Sequence, residues 1–222
     1  MAHTKIVAWC ARTAAAFLIA LSFASLDALA QSAPTQKVDP ALAARLKNVM
    51  VPLLQKMDNP IPLDQVKVAL AEDDSINAGN AGGGNFIVTT GLLKRANDDQ
   101  LRAVMAHEAA HADLGHVADQ QLFGVISQLG VALADQLFPS LSGVSPLVGQ
   151  AFQARYSRKD EHEADAHGVE ILKRAGYDGK NMMAETLAWL QKQDGGSDGG
   201  GGFFSTHPAT GDRIEAVRAL PN

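Results

Sequence analysis

Cysteine is almost absent from this chain of 222 residues, because its single cysteine is Cys10, close to the amino terminus. One thiol cannot close an intramolecular disulfide, so the fold must be stable without a disulfide framework. Metal sites built from several cysteine thiolates are excluded for the same reason. A metal site in this chain must therefore take its ligands from histidine, aspartate and glutamate.

An excess of positive charge is also absent. The chain has 19 lysine and arginine residues against 24 aspartate and glutamate residues, which gives a formal net charge of −5. Proteins that bind nucleic acid present basic surfaces to the phosphate backbone. We therefore expect no nucleic-acid partner.

Long uninterrupted apolar runs are missing as well. The run from Ala14 to Leu26 is shorter than the roughly 20 residues of a membrane span. The segment 121–154 has only Asp135 as a charged residue, but Pro139 and Pro146 interrupt it, so we predict no transmembrane helix there. Two interpretations stay open for this segment: a pair of buried helices, or a hydrophobic surface that contacts a membrane or an outer-membrane assembly protein.

The first 30 residues have the pattern of a secretory signal peptide. Two basic residues come first, the apolar run Ala14–Leu26 follows, and Ala28-Leu29-Ala30 is a small-residue cleavage site. We expect cleavage after Ala30 and export to the periplasm. Cys10 precedes the apolar run, so we do not expect a lipoprotein. Residues 31–222 are then expected to form a single domain.

The first half of that domain is predicted to contain a helix, a flexible turn and two strands. Asp39 caps a helix that begins at Pro40 and runs to about Met57. Residues 65–70 alternate between polar and apolar side chains, which predicts a half-buried strand. The glycine-rich stretch 75–85 lacks the lysine of a phosphate-binding loop and is interpreted as a flexible turn. Residues 86–90 are predicted to form a strand whose edge binds an extended peptide.

The segment Ala106-His107-Glu108-Ala109-Ala110-His111 carries the most informative pattern. Histidines four residues apart share one face of a helix, with Cβ atoms roughly 5 to 6 Å apart, and can bind one metal ion. Glu108 lies at a neighbouring angle, where its carboxylate can contact a water on that metal. This is the His-Glu-x-x-His arrangement of zinc peptidases. The alternative is a solvated polar stripe on an alanine-rich helix.

Local signals delimit the helix that carries this segment. Asn97 and Gln100 form a predicted capping box at its start, and Gly115 is predicted to end it. His116 lies five residues after His111, on another face or outside the helix. We therefore expect His116 not to be a metal ligand.

A polar helix predicted from Ser157 to about Ala175 offers the third ligand. A catalytic zinc ion usually has three protein ligands and one water. Glu161 and Asp165 are four residues apart and share a face, so we assign Glu161 as the ligand and Asp165 as the acceptor for the free N–H of a ligating imidazole. The spacing does not exclude Glu163. Solvent exposure is expected for three other polar residues of this helix: His162, Glu163 and His167.

The carboxyl-terminal part is predicted to contain two more helices and a tether. One helix spans about Asp178 to Gln193, and residues 194–202, which are mostly glycine, are expected to be flexible. The last helix should begin near Thr210 or Asp212. His207 lies between the tether and this helix.

Taken together, the motifs resemble family forty-eight of the metallopeptidases, the gluzincins that include HtpX and the CAAX prenyl proteases. The resemblance rests on His107-Glu108-x-x-His111, Glu161-x-x-x-Asp165 and His207-Pro208 with Arg213, and extends from about Asn77 to Arg218. It implies an α+β zincin-like fold, mostly helical with a small mixed β-sheet. It also implies one zinc ion per chain and protein substrates in the cell envelope.

The residues suggest how such a site would act. Zinc bound by the two histidines and Glu161 lowers the pKa of its water, and Glu108 serves as general base and then delivers the proton to the leaving amine. His207 and Arg213 are candidates for stabilising the tetrahedral oxyanion. The resemblance also allows His207 to occupy the open coordination position and shut the enzyme.

Two functions from different classes are compatible with these residues. The first is a zinc endopeptidase that hydrolyses misfolded or envelope proteins in protein quality control. The second is an envelope chaperone or assembly factor with a largely structural zinc site. Glu108 distinguishes them, because a structural zinc site does not need a general base.

Overall fold

The computed structural model describes residues 39–116, 156–194, 202–208 and 211–221. The expected signal peptide, the segment 121–154, the interior of the glycine-rich tether and Thr210 lie outside these ranges. The described elements are α1 (Pro40–Leu54), β1 (Lys67–Ala71), β2 (Ala78–Asn80), β3 (Asn85–Thr89), α2 (Thr90–Arg95), α3 (Asp98–Asp113), α4 (Arg158–Arg174), α5 (Gly179–Gln193), α6 (Phe203–Thr206) and α7 (Arg213–Arg218). None of these helices has the length and apolar character of a membrane span.

Helices dominate the described residues, and the strands form a single small mixed sheet. The strand order is β1-β3-β2, with β1 parallel and β2 antiparallel to β3. This architecture confirms the predicted α+β class with a mostly helical composition.

Helix α1 forms where the sequence predicts it. The Asp39 side chain accepts a hydrogen bond from the Ala41 amide at 2.8 Å, and Pro40 occupies the first helical position. Leu46 and Leu53 are among the residues that bury one face of the helix. The helix ends at Leu54, about one turn earlier than predicted.

The strand order and the burial of β1 each correct one prediction. Strand β3 lies between β1 and β2, so the strand predicted to offer a free edge has both edges paired. The short strand β2 is the edge on that side of the sheet. In β1, Ala69 and Ala71 are buried as fully as the larger apolar residues, so this strand is buried on both faces rather than half-buried.

The glycine-rich stretch 75–85 is more ordered than predicted. Its first part contains strand β2, which pairs with β3 from Ala78–Val88 to Asn80–Phe86. The connecting turn requires Gly82, Gly83 and Gly84, whose φ angles of 80°, 57° and 80° are strained for residues with a side chain. The prediction of a flexible turn was therefore wrong for β2, because a strand of three small residues has no detectable alternation.

The packing of α4 against α3 determines where the polar side chains of the two helices meet. The predicted capping box of Asn97 and Gln100 is present at α3, and at α4 the predicted cap Ser157 forms a capping box with Asp160 that was not predicted. Gly168 permits the close approach, because a Cβ atom there would lie 3.3 Å from the Ala106 carbonyl oxygen and 2.9 Å from Met183 Cε. The polar faces of α3 and α4 therefore face each other in the interior.

Candidate metal centre

Helix α3 brings the two histidines of the central motif together in the protein interior. His107 and His111 are 1% and 0% exposed. Their Nε2 atoms are 3.0 Å apart, and the rings meet edge to face at a centroid distance of 4.6 Å. The alternative of a solvated polar stripe is therefore wrong.

Glu161 on α4 completes a group of three converging ligand side chains. Its Oε2 lies 3.5 Å from His107 Nε2, and its Oε1 lies 3.3 Å from His111 Nε2. Ligand atoms about 2.0 to 2.1 Å from a tetrahedral zinc ion are separated by about 3.3 Å. The spacing and the donor types both fit a zinc ion.

Asp165 and Arg213 support this group from behind. Asp165 Oδ1 lies 3.0 Å from His107 Nδ1, the ring nitrogen that faces away from Glu161 and His111. The Arg213 guanidinium donates two hydrogen bonds of 2.7 Å to Asp165 and one of 2.6 Å to Glu161. Arg213 is 1% exposed, so its charge is balanced by these two carboxylates in the interior.

Glu108 is completely buried beside the ligand group, on the same helix as the two histidines. Within the described residues, neither of its carboxylate oxygens accepts a hydrogen bond. Burying a carboxylate without hydrogen-bond donors destabilises the fold, so such a group is expected where its position serves binding or catalysis. This orphaned carboxylate is a further reason why the site fits a metal ion with a reactive water.

The His207 side chain reaches the same group from the end of α6. Its Nδ1 lies 3.3 Å from His107 Nε2 and 3.2 Å from Glu161 Oε1. Its Nε2 lies 3.3 Å from the Ala78 carbonyl oxygen and 3.3 Å from Glu108 Oε1. One imidazole thus contacts the ligand group, the general-base candidate and the edge strand.

The pKa values of the two motif histidines are shifted in opposite directions. Burial lowers the pKa of His107, but its contacts with Asp165 and Glu161 outweigh burial and raise the pKa to about 9. Burial and the neighbouring charge of His107 hold the pKa of His111 well below its usual value. One negative pair of carboxylates therefore stabilises one positive charge on the histidines.

The two glutamates differ in a way that suits different roles. Burial alone would raise the pKa of Glu161, but the charges of His207 and Arg213 and the contacts with the motif histidines hold it well below its usual value. Burial raises the pKa of Glu108, against the opposing charges of His207 and His107. Glu161 is thus kept ionised, as a ligand must be, while Glu108 can take up a proton more readily.

The other polar residues of α4 lie away from the ligand group. Glu163 is exposed on the helix surface and pairs with Lys159 at 2.9 Å, and His162 lies 3.5 Å from Asp212. His167 departs from the predicted exposure, because its Nε2 lies 2.7 Å from Asp113 and its side chain is only 12% exposed.

Two residues near the site were missed as contributors by the sequence analysis. The Tyr156 ring stacks on His111 at a centroid distance of 3.7 Å, and its hydroxyl donates a 2.8 Å hydrogen bond to the Asn80 carbonyl. His116 Nδ1 lies 3.2 Å from His111 Nδ1. An aromatic residue directly before the α4 cap was the available signal for Tyr156, and the helix-ending Gly115 was the signal for His116.

Two histidines and a buried glutamate from one helix, with a second glutamate from the next, define a zinc metalloendopeptidase of the His-Glu-x-x-His type. The sequence profile described as peptidase family M48 matches residues 40–220. The chain belongs to this family.

The relatives to which this chain is similar include proteins named as proteases. It is 29% identical over 163 residues to metalloprotease YcaL of Escherichia coli, which covers 68% of this chain and 60% of the relative. It is 31% identical over 166 residues to the beta-barrel assembly-enhancing protease of Escherichia coli, over 69% of this chain and 34% of the relative. A protease HtpX homolog of Methylibium petroleiphilum is 28% identical over 228 residues, with 83% and 77% covered.

Proposed function

We propose that this protein is a periplasmic endopeptidase that uses one zinc ion, bound by His107, His111 and Glu161, to hydrolyse unfolded or misfolded envelope proteins. The observation that carries this proposal is the convergence of the two histidine nitrogens, 3.0 Å apart, with the Glu161 carboxylate, whose oxygens lie 3.5 Å from His107 Nε2 and 3.3 Å from His111 Nε2, beside the orphaned carboxylate of Glu108. A purely structural site would not need Glu108.

Glu108 performs the proton transfers in this proposal. A bound zinc ion supplies an acidified water and polarises the scissile carbonyl. The Glu108 carboxylate takes up the proton from the attacking water and delivers it to the leaving amine. Its raised pKa favours this exchange, because a carboxylate with a higher proton affinity is a stronger base.

Arg213 acts as a positioning residue in this proposal, in place of the oxyanion role expected from the sequence. All three of its donor contacts are made with Asp165 and Glu161. A guanidinium with these contacts orients the ligand Glu161 and also Asp165, the acceptor behind the ligand His107. His207 is then the remaining candidate for contact with the substrate.

His207 serves as a gate in the resting enzyme. Both ring nitrogens face oxygens that only accept, Nε2 the Ala78 carbonyl and Nδ1 the Glu161 carboxylate, so with a metal ion bound by Glu161 the neutral ring would carry its proton on Nε2. Nδ1 then keeps its lone pair, which faces His107 Nε2 and Glu161 Oε1. This arrangement lets His207 take the open coordination position until it moves away.

The edge of β2 is the proposed binding surface for the peptide backbone. Gly79 pairs with Ile87 of β3, so the carbonyls of its neighbours Ala78 and Asn80 face away from the sheet. His207 and Tyr156 donate to these two carbonyls. An extended substrate that adds to this edge would need the same acceptors, and its binding would therefore displace His207 and the Tyr156 hydroxyl.

The location and the substrates are inferred from other observations. The sequence pattern of a signal peptide ending at Ala30 supports export, and N-terminal sequencing of the mature protein should begin at Gln31. The name of the beta-barrel assembly-enhancing protease, a relative, associates such an enzyme with the assembly of beta-barrel proteins. Contact with that machinery through 121–154 belongs to the same proposal.

Replacement of Glu108 by glutamine tests the catalytic proposal. The change preserves side-chain size but removes the base, so kcat/KM for casein should fall by about 10²- to 10⁴-fold. Zinc content, measured by mass spectrometry of the purified protein, should be unchanged.

The matched control is Glu170→Gln, which alters an exposed glutamate of α4 that pairs with Lys173. It should cleave casein at the wild-type rate. Wild-type cleavage by the Glu108 variant would refute the mechanism. If that variant cleaves nothing yet still restores envelope integrity in cells, the chaperone alternative gains support.

His207→Ala tests the gate. Removal of the imidazole should raise basal casein cleavage, because the coordination position and the β2 edge become accessible together. His162→Ala, a histidine on the outer side of α4, is the control and should not alter the basal rate. A loss of turnover in His207→Ala, without tighter metal binding, would instead indicate a fixed role in oxyanion stabilisation.

A further inference from the structure

We propose that His116 is a positioning residue of the metal centre: its Nδ1 accepts the proton of His111 Nδ1 and holds His111 in the tautomer whose Nε2 binds the metal. This inference rests on the proposed role of His111 as a zinc ligand. His116 thereby has a function although it is not expected to be a metal ligand.

The end of α3 brings His116 back to His111. The His116 amide donates a 2.8 Å hydrogen bond to the His111 carbonyl, and the Gly115 amide donates to the Ala112 carbonyl at 3.3 Å. This pair of bonds, with Gly115 at a φ of 72°, is a Schellman motif. In that motif the residue after the glycine lies beside the residue five positions earlier, so the backbone itself requires the two histidines to be neighbours.

The two ring nitrogens of His111 face different partners. His111 Nε2 faces His107 and Glu161, and His111 Nδ1 faces His116 Nδ1 at 3.2 Å. An imidazole that binds a metal through Nε2 must carry its proton on Nδ1, and that N–H needs an acceptor. Among the described residues, His116 Nδ1 is the side-chain nitrogen in position to accept it.

Acidic residues of α4 determine which nitrogen of His116 is the acceptor. His116 Nε2 lies 3.4 Å from Glu163 Oε2 and 3.9 Å from Asp160 Oδ1. Carboxylates only accept hydrogen bonds, so they favour the tautomer of His116 with its proton on Nε2. Nδ1 is then left with the lone pair that His111 requires.

The two ligating histidines therefore have outer partners of different kinds. His107 has Asp165, which Arg213 holds in place, and His111 has His116, which Glu163 orients. The Asp165 side chain is 2% exposed, whereas the His116 side chain is 12% exposed. A change at His116 can thus alter the metal centre without opening the core.

Zinc affinity, measured by competition with a chromophoric chelator, tests this inference. Outer partners of metal-bound histidines typically change metal affinity by about 10- to 100-fold, so His116→Leu should weaken zinc binding by that factor. His116→Asn retains an acceptor oxygen near the position of Nδ1 and should recover much of the affinity. His162→Leu, which removes a histidine of α4 that pairs with Asp212, should bind zinc as the wild type does.

A folded His116→Leu variant with wild-type zinc affinity would overturn the inference. So would a second equivalent of zinc in the wild type that is lost in this variant, because His116, Asp160 and Glu163 would then be a separate metal site. Wild-type protein that binds no zinc would overturn the proposed function as well. Failure of the His116 inference alone is therefore recognised by normal zinc binding in both the wild type and His116→Leu.

A second measurement does not depend on the folding of any variant. In zinc-loaded wild-type protein labelled with ¹⁵N-histidine, the NMR spectrum should contain a His111 Nδ1–H that exchanges slowly with solvent. A His111 whose Nδ1 is unprotonated or exchanges rapidly would contradict the inference.

Discussion

Helices α3 and α4 are connected by two contacts between an aspartate and a histidine, and the two contacts differ in what they leave unsatisfied. In the inner contact, His107 of α3 lies 3.0 Å from Asp165 of α4. In the outer contact the residue types are exchanged, and Asp113 of α3 lies 2.7 Å from His167 of α4. The side chains of both aspartates are at most 2% exposed.

The outer contact is saturated by the chain itself. Asp113 accepts hydrogen bonds from the Asp58 amide at 2.6 Å, from the Asn59 amide at 2.8 Å and from the Asn59 side chain at 3.0 Å. In the inner contact, the second nitrogen of His107 faces other acceptors, and neither oxygen of Glu108 accepts a hydrogen bond among the described residues. A group of ligand-type residues indicates a metal site when their lone pairs converge and are not used by hydrogen-bond donors. Asp113 does not meet this condition, because its oxygens already accept hydrogen bonds.

Substitutions in the inner and outer contacts should therefore have different effects. A change in the inner contact should alter metal binding and catalysis together with stability. A change in the outer contact should alter stability alone.

The largest effect is expected from Arg213→Leu, which leaves Asp165 and Glu161 without their shared cation. Removal of one partner of a buried ion pair costs about 3 to 5 kcal/mol, so the free energy of unfolding should fall by that amount in urea titrations. Zinc binding should weaken as well, because Glu161 and the acceptor behind His107 lose their orientation.

Arg218→Leu is the control for this change, since it alters an exposed arginine of the same helix that pairs with Glu215. It should have the stability and zinc affinity of the wild type. An Arg213→Leu protein with normal stability and zinc binding would remove the distinction between the inner and outer contacts.

A smaller effect is expected from Asp113→Asn in the outer contact. The amide cannot accept at both former oxygen positions, so the free energy of unfolding should fall by about 1 to 3 kcal/mol. The kcat of the folded protein and its zinc affinity should not change. A loss of zinc by this variant would show that the two contacts are not independent.

The pH dependence of that difference can be predicted from Asp113. Burial would raise the pKa of this carboxyl, but hydrogen bonds from His167, Asp58 and Asn59 outweigh burial and lower it from 3.8. A lowered pKa in the folded state contributes stability above the unfolded pKa, and the contribution is lost as the pH falls through the folded pKa. The gap between wild type and Asp113→Asn should therefore be full near neutral pH and shrink below about pH 4. A gap that is independent of pH would contradict this prediction.

The smallest effect is expected from Tyr156→Phe, which alters the β2 edge where we propose that the substrate binds. The phenylalanine ring can still stack on His111, but the Asn80 carbonyl loses its donor. One hydrogen bond contributes about 0.5 to 1.5 kcal/mol, so KM for an unfolded substrate should fall by about two- to tenfold. Zinc affinity should be unchanged, and an increase in KM would contradict the displacement of Tyr156 by the substrate.

The features that sequence predicted well are those with strong local determinants. Asp39 with Pro40, the caps at Asn97 and Ser157, and the glycine at position 115 each act within one turn of helix, so helix ends were predictable. The spacing of His107 and His111 predicted that their imidazoles would meet, because helical geometry alone requires it.

The features that were mispredicted depend on contacts between distant segments. Strand β2 is recognisable only through its pairing with β3, and the central position of β3 depends on β1 as well. His167 is shielded because Asp113 lies opposite it on another helix. The contacts of Arg213 likewise depend on how α7 packs against α4, which no local pattern in the sequence encodes.

Gly168 links the spacing of α3 and α4 to the separation of the metal-ligating atoms. It lies two turns after Glu161 and one turn after Asp165 on α4, at the point where a methyl group would press on the backbone of Ala106 and His107. Even a small side chain would move α4 outwards by a few tenths of an ångström, and the glutamate oxygens would move away from the histidine nitrogens by a similar distance. The choice of metal ion can therefore be tuned at a position that touches no metal, because ions of different radius tolerate different ligand separations.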